Sequence, residues 1–570
     1  MKVTIMFFSA AVAGSIYLFQ KKDEVPVRNQ YADRTIVYCS PSFDPAVMNE
    51  GNAPLLDGFG KWNYPVTTKN KKAAQYFNQG IALLYGFNHG EAGRSFKTAL
   101  KLDSTMAMAY WGIAMVLGPN YNAALDPSQL ADINAAVDHA VEYAATTAPH
   151  EQALINAIAK RFPRSEVKDM MPYYESYASA MKEAHDKFPD DAQIGTLYAD
   201  ALMNMHPWDL WVKDGTARPW TADILATLEK TLKKYPAHPG AIHYYIHATE
   251  ASKNPGRATS YADKLTTLMP GAGHLVHMPS HVYIRTGEYH KGVLVNELAS
   301  NADSSYIAQC KVQGAYPLVY YPHNIHFLAA CAFLEGNSKK AMNAAWAIAR
   351  KANKEFMHQF GAIQHYSIIP YYMLVQLGRW NEILKLTEPS DSFLYPKAIW
   401  HYARGMAYAA KGEPDKANTE LVAVRNIAKD ENVQKVTIWD MNKVSELINI
   451  ASYTLEGEIL AKNGQYDSAI GSLTKAVELE DALMYQEPPD WFFSVRLSLG
   501  HWLNEAKRFR EAEQVYREDL GTFPANGWAL KGLYNSLKGQ GKNTEASSVH
   551  TRFQAAWKWA DIRLSSSRVL

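Results

Sequence analysis

Five histidines in two short segments are the residues whose types and spacing point most directly to chemistry. His243 and His247 lie in AIHYYIHATE, and His274, His277 and His281 lie in GAGHLVHMPSHVYIR. The first two are four residues apart, as are the last two, so each pair projects from one face of a helix. Because imidazole is a common ligand for transition metals, the two pairs predict a metal site shared between two helices.

An internal comparison supports a special role for these pairs. When residues 238–271 are aligned with residues 272–305, only two positions are identical. Both are histidine: His243 aligns with His277, and His247 aligns with His281. A simple duplication would have carried the apolar positions along as well, so the pattern indicates that histidine itself is needed at these places.

The helices that must position the histidines belong to a repeating pattern that begins near residue 70. Small residues such as Gly80 recur in the first of two helices, and a short turn containing Gly, Asn or Pro separates the two. The pattern is clearest in residues 77–104, 455–480 and 499–524. It resembles the tetratricopeptide repeat (TPR), in which small residues let paired helices approach closely. The resemblance implies an all-α, right-handed solenoid of about ten to twelve helix-turn-helix units behind an irregular N-terminal leader.

The chain of 570 residues divides into six predicted segments. They are a signal peptide or N-terminal anchor (1–22), an irregular leader (23–69), N-terminal TPR-like units (70–205), an aromatic insertion (206–222), central units with the histidine-rich groove (223–390) and C-terminal units (391–570). Residues 3–20 carry no charge and are flanked by lysines, which predicts an extracytoplasmic protein, either periplasmic or membrane-anchored. The three cysteines form no CxxC pair, which excludes a dense disulfide framework and thiolate zinc sites.

The resemblance also indicates which side chains face the concave groove. In a TPR array the fifth and ninth positions of each first helix face that groove, and the four paired histidines fall on these positions in two adjacent units. Glu250 lies seven residues after His243 on the same face, and His326 falls on the fifth position of the next unit. The predicted metal ligands are therefore His243, His247, His277, His281, Glu250 and His326. Further predicted groove residues for a ligand or partner are Asp200, Asn204, His274, His323 and His365.

The donor set limits the choice of metal without fixing it. Imidazoles with one or two carboxylates suit zinc, copper, iron or nickel. Two or three histidines with one glutamate resemble a catalytic site with open positions, whereas four histidines alone favour copper or a closed zinc site. The chain has no HExxH, GxSxG, GxGxxG or Walker A motif. A metal-dependent enzyme, using metal-activated water or oxygen, and a metal carrier both remain open.

A metal-free scaffold is the alternative prediction. TPR-like arrays present extended concave surfaces, so the groove would bind a peptide, a protein or a small molecule through imidazole and tyrosine hydrogen bonds. Fifty-eight basic and 57 acidic residues give a net charge of +1, which argues against nucleic acid as a partner. The series YFNQGIALLYGFNHGEAGRSF, HYYIHATEAS, GHLVHMPSHVYIR and YPHNIHFLAA resembles a group of bacterial TPR proteins, and this resemblance implies export but no particular reaction.

Overall fold

The computed structural model is built almost entirely from α-helices in the part of the chain that it describes, which is residues 48, 52–60, 62–310 and 316–569. The first helices are α1 (Lys71–Tyr85), α2 (His89–Leu102), α3 (Ala107–Leu117), α4 (Leu130–Tyr143), α5 (Pro149–Ile158), α6 (Met171–Lys187), α7 (Ala192–Met205) and α8 (Thr221–Lys234). Then come α9 (Pro239–Thr249), α10 (Thr259–Leu268), α11 (Gly273–His277), α12 (Pro279–Thr286), α13 (Tyr289–Cys310), a π-helical turn (Tyr316–Tyr320), α14 (Tyr321–Leu334), α15 (Ser338–Lys351) and α16 (Gly361–Gln376).

The remaining helices complete the C-terminal part of the chain. They are α17 (Trp380–Ile383), α18 (Leu394–Ala410), α19 (Pro414–Ala428), α20 (Val444–Lys462), α21 (Tyr466–Ala482), α22 (Arg496–Glu505), α23 (Phe509–Thr522), α24 (Gly527–Gly539) and α25 (Asn543–Ala556). Single 3₁₀ turns occur at Pro127–Gln129, Ala144–Thr146, Pro255–Ala258 and Val433–Lys435. One short antiparallel pair, β1 (Thr437–Ile438) with β2 (Asn442–Lys443), interrupts the helices. The predicted all-α fold is confirmed.

The N-terminal predictions fall mostly outside the described residues. Residues 3–20 and Cys39 are among those that the structure does not describe, so export or anchoring stays a prediction. Within the described ranges, no helix is long and apolar enough to cross a membrane. The described part of the predicted leader has no helix or strand from residue 52 onward, and it packs against the helices. The Tyr64 hydroxyl donates to Asp191 at 3.1 Å, and the Thr67 N–H donates to Glu151 at 2.8 Å.

Glycines allow neighbouring helices to share large side chains at the repeat spacing. A Cβ on Gly80 in α1 would stand 2.5 Å from the ring of Phe96 in α2, and one on Gly112 in α3 would stand 2.6 Å from the same ring. Gly500 in α22 and Gly532 in α24 make the same close approach to the ring of Tyr516. A fully buried aromatic side chain therefore takes the space that two side chains would otherwise occupy.

The histidine-bearing helices lie between two apolar cores. One core is drawn mainly from α1 to α11 and includes Phe87 and Tyr320, and the other is drawn mainly from α13 to α25 and includes Phe327 and Phe492. Helix α9 begins after His238, whose ring accepts a hydrogen bond from the Ala241 N–H. All eleven residues of α9 are buried, so even its polar side chains are enclosed by other elements.

We expect Gly80→Ala to lower the free energy of unfolding. Overpacking against Phe96 costs about 1–3 kcal/mol, which exceeds the gain of about 0.5–1 kcal/mol from replacing a helical glycine by alanine. Gly471→Ala is the matched control, because Gly471 is exposed in α21 and a Cβ there meets nothing within 4 Å. Denaturant unfolding of both variants measures the difference, and a gain in stability at both positions would contradict the packing argument.

Candidate metal centre

Four helices bring a carboxylate and six imidazoles together. Helix α9 carries His243 and His247, and Glu250 caps its C-terminal end. The short helix α11 carries His274 and His277, and the short helix α12 carries His281. Helix α14 carries His323. Pro279 is the first residue of α12, a position where its missing N–H costs no hydrogen bond. These side chains fall into two sets of three imidazoles.

The first histidine group consists of His243, His247 and His274. The ring centroid of His243 lies 4.9 Å from that of His247 and 5.0 Å from that of His274. The ring centroids of His247 and His274 are 6.5 Å apart. One nitrogen from each ring lies within 4.8 Å of the other two. The exposed fraction of each residue is 3% or less, so the group is closed to bulk water.

The second histidine group consists of His277, His281 and His323. The ring of His277 lies 4.8 Å from that of His281 and 4.9 Å from that of His323, and the third distance is 5.6 Å. Its three nitrogens also lie within 4.8 Å of one another. The groups are neighbours, since the rings of His247 and His281 are 5.5 Å apart and those of His274 and His277 are 5.8 Å apart.

Glu250 connects the two groups through its carboxylate. One oxygen lies 2.9 Å from His247 Nδ1, and the other makes a short contact with His281 Nδ1. Burial acts to raise the pKa of this carboxyl, but the charge of His281 and the hydrogen bond with His247 outweigh burial and lower it. Glu250 is therefore ionised, and its carboxylate accepts a hydrogen bond from the Nδ1–H group of each ring. Glu250, His247 and His281 also form a third combination with metal-ligand spacing.

Two more acceptors fix the orientation of the other rings. His243 Nδ1 lies 2.8 Å from the carbonyl oxygen of Tyr85, and His277 Nδ1 lies 2.7 Å from Asn296 Oδ1. The Asn296 amide donates to the Gly292 carbonyl at 2.7 Å, which assigns its oxygen to the imidazole side. Because these partners accept hydrogen bonds, the tautomers of His243, His247, His277 and His281 are assigned with the hydrogen on Nδ1. Each ring then turns a bare Nε2 lone pair toward the interior.

Several of these nitrogens lack a hydrogen-bond partner among the described residues. They are Nε2 of His243, Nε2 of His247 and both ring nitrogens of His274. In the second histidine group, Nε2 of His277 and Nε2 of His281 stand 2.9 Å apart. Two lone pairs repel at this distance unless a cation, either a proton or a metal ion, joins them. The centre is thus short of positive charge or of a ligand in both groups.

Burial favours the neutral form of five of the six imidazoles. It lowers the pKa of His243, His274, His277 and His323 well below the ordinary value, and the nearby histidines lower it further. Burial also lowers the pKa of His247. Neutral rings have the free lone pair that a metal requires.

Aromatic side chains enclose the centre. The Phe87 ring lies 4.7 Å from that of His243, Tyr121 and Trp208 lie 5.4 and 5.5 Å from His247, and Phe327 lies 4.4 Å from His281. Trp208 belongs to the predicted insertion 206–222, which therefore packs against the histidines. The expectation that the paired histidines line an open groove is corrected, because the helices on both sides bury them. His323 is only partly buried and marks the side nearest solvent.

The other predicted residues lie outside the two groups. His326 stacks on Phe492 at 4.8 Å and pairs with His365 at 5.7 Å, and His365 Nδ1 lies 2.9 Å from the Tyr395 hydroxyl. The Asp200 carboxylate accepts a hydrogen bond from Asn204 at 3.1 Å, and burial raises the pKa of Asp200 to about 6.

Asn296 and the carbonyl of Tyr85 were not predicted to contribute. The histidine spacing carries no signal for either of them, because both come from distant parts of the chain.

Comparisons with known proteins bear on the fold. The tetratricopeptide repeat family model matches residues 450–482, which span most of α20 and all of α21. No curated protein matches the chain. A human IFIT1 dimer with m7Gppp-AAAA is 13% identical with a TM-score of 0.31, covering 86% of this chain and 91% of that chain. Yeast Tom70 is 11% identical with a TM-score of 0.27, covering 85% and 90%. Likenesses this weak carry no information about ligands.

The family match and the paired helices both bear on the fold. One helix pair, at residues 450–482, matches the tetratricopeptide repeat, and paired helices make up most of the rest of the described chain. Arrays of this repeat present extended surfaces suited to protein binding. The buried histidine centre is an addition that this architecture does not require.

We expect His274→Leu to gain stability relative to the unaltered chain as the pH falls. Burial depresses the pKa of His274, so the unfolded chain takes up a proton below about pH 6.5 that the folded chain does not. The free energy of unfolding of the unaltered chain, relative to that of the variant, is therefore constant above pH 6.5 and declines by about 1.4 kcal/mol per pH unit below it. Urea unfolding of chelator-treated proteins at pH 7.5 and 5.5 measures the difference.

The control for this experiment is Gly471→Ala, since Gly471 is exposed on α21 and the substitution changes no titratable group. The difference between this variant and the unaltered chain should stay constant over the same pH range. Comparing variants cancels the opposite contribution of buried carboxyls such as Asp303, whose pKa burial raises to about 7. A pH-independent difference for His274→Leu would show that the His274 ring of the unaltered protein is protonated as readily in the folded chain as in the unfolded chain.

Proposed function

We propose that this repeat protein binds a transition metal in its buried histidine centre. The observation that carries the proposal is the set of unpartnered nitrogens on His243, His247 and His274, three buried residues that each offer a ligand atom within 4.8 Å of the other two. A buried polar atom without a partner costs about 1–3 kcal/mol. A ligand that accepts several lone pairs at once would offset this cost, and a metal ion is such a ligand.

The hydrogen bonds behind the rings support the same proposal. Metal-bound histidines generally donate their second ring N–H to a carboxylate or a carbonyl, which fixes both tautomer and ring orientation. Glu250 does this for two rings, Tyr85 for a third and Asn296 for a fourth. The six-imidazole centre therefore has the supporting contacts of a metal site as well as its ligands.

The position of His323 bears on what the metal would do. A carrier and an enzyme both need a path by which an ion or substrate reaches the centre, and His323 is the one histidine of the two groups that is partly exposed. An enzyme would in addition keep one coordination position open for water or oxygen. The surface of the repeat array is proposed to bind a protein or peptide partner near this centre.

We expect the purified, tag-free chain to contain at least one transition metal ion per molecule. The double variant His247→Ala/His281→Ala should lose it, because one ligand disappears from each histidine group together with both partners of Glu250. Elemental analysis by mass spectrometry measures the content, and circular dichroism confirms that each protein is folded.

The matched control removes the same number of histidines from the surface. His139→Ala/His358→Ala changes two exposed positions and should retain the metal in full. Folded, unaltered protein that holds no metal after growth and dialysis with zinc, copper, iron or nickel would refute the proposal. The metal-free scaffold, with a peptide or protein partner, would then be the remaining function.

A further inference from the structure

The six histidines of the centre separate into two groups that share no residue. The first histidine group (His243, His247, His274) and the second histidine group (His277, His281, His323) each bring three nitrogens within ligand spacing. Three ligands suffice to hold a transition metal ion and leave a position free. If the proposed metal binding holds, the number of bound ions therefore depends on whether each group binds an ion of its own.

Glu250 is placed behind the rings and not among the ligands. Both of its oxygens are engaged, one by Nδ1 of His247 and one by Nδ1 of His281. An ion bound to Glu250 with the Nδ1 atoms would break both contacts. It would also leave Nε2 of His281 facing Nε2 of His277 at 2.9 Å without a cation. A single ion on His247, Glu250 and His281 therefore leaves the contacts of the other rings unexplained.

The second histidine group is already close to a coordination geometry. Metal–nitrogen bonds of about 2.0–2.1 Å on a tetrahedral ion place two imidazole nitrogens about 3.3 Å apart. Nε2 of His277 and Nε2 of His281 are 2.9 Å apart, so a shift of a few tenths of an ångström would admit an ion. The ion would take the place of the shared proton and release it.

Charge and donor type favour copper over other transition metals. All six ligands are imidazoles, and copper forms the strongest complexes of the divalent first-row series with such nitrogen donors. Among the described residues, Glu250 is the one carboxylate that hydrogen-bonds to these rings. Two divalent ions would bury four positive charges against it, whereas two cuprous ions would bury two. Because buried charge without a partner is costly, the monovalent state suits this interior better.

We propose that the centre holds two copper ions as neighbours, one in each histidine group, with Glu250 as a positioning residue. The groups are adjacent, because rings on opposite sides of the boundary lie 5.5 and 5.8 Å apart.

The test counts copper in the full-length protein after loading with cuprous ion under anaerobic conditions, with an equal concentration of zinc present. We expect two copper ions per chain and little zinc. His243→Ala/His274→Ala removes two ligands of the first histidine group, and His277→Ala/His323→Ala removes two of the second. Each variant should retain one copper ion. His323→Gln is a milder change at the least buried ligand and should also weaken binding of one ion only.

The outcomes separate this inference from the proposed function. One copper ion in the unaltered chain, lost from either double variant, would overturn the two-ion centre while leaving metal binding intact. Two zinc ions in place of copper would overturn the assignment of the metal. No metal at all would refute the proposed function itself. After oxidation, we expect the electron paramagnetic resonance spin count to fall below the copper content, since adjacent cupric ions couple; a full count would show two isolated sites.

Glu250→Gln tests the positioning role. Glutamine keeps the volume of the side chain, but its amide can accept from only one of the two Nδ1–H groups. We expect both copper ions to remain at saturation, with affinity lowered about 10- to 100-fold, as for other residues that orient metal ligands. Loss of one ion at saturating copper, with unchanged affinity for the other, would instead make Glu250 a ligand.

Discussion

The buried carboxylate of Glu250, held between two imidazole N–H groups, is the constraint on which the centre depends. A carboxylate at this depth stays ionised only if its oxygens are paired, and the pairing here comes from α9 on one side and α12 on the other. These contacts fix the distance between the two helices and the rotation of both rings. The Nε2 atoms of four rings are oriented by the acceptors that hold each Nδ1 from behind, namely those of His243, His247, His277 and His281.

The surrounding packing serves the same arrangement. The two apolar cores meet at the histidines, and aromatic rings from both cores lie against them. Trp208 approaches from the insertion before α8, while the Trp211 indole donates to the Ala248 carbonyl at 2.9 Å. The low polarity that results keeps the rings neutral and strengthens any bond to an ion. The same low polarity makes an unpartnered nitrogen costly, so the unpartnered nitrogens of this site lower the free energy of unfolding.

The repeat array and the histidine centre depend on different side chains. The helices of the tetratricopeptide class are positioned by small-to-large contacts such as Gly80 with Phe96, which recur along the chain and need no histidine. The centre occupies only α9, α11, α12 and α14. Mutations in the histidine centre can therefore leave the packing of the repeat array intact, because the two use different residues.

The sequence by itself determined the helical repeat and the two histidine pairs. A period of 3.6 residues places His243 beside His247 on one face of α9. His277 ends α11 and His281 lies in α12, and the helical backbone angles of Met278 between them keep the two rings neighbours. The sequence did not determine that His274 and His323 complete the groups, or that His326 turns away to His365. Spacing along the chain fixes neighbours on one helix, whereas distances between helices depend on how side chains pack.

The depth of the centre and the role of Glu250 were likewise decided only by the tertiary structure. The repeat pattern placed the paired histidines on a groove, but the packing of α11 to α14 and of the insertion encloses them. Glu250 lies on the same face of α9 as His243, which suggested a ligand, yet its second oxygen pairs with His281, thirty-one residues away. A contact across that separation exists only once the helices dock, because the buried charge must find both of its partners there.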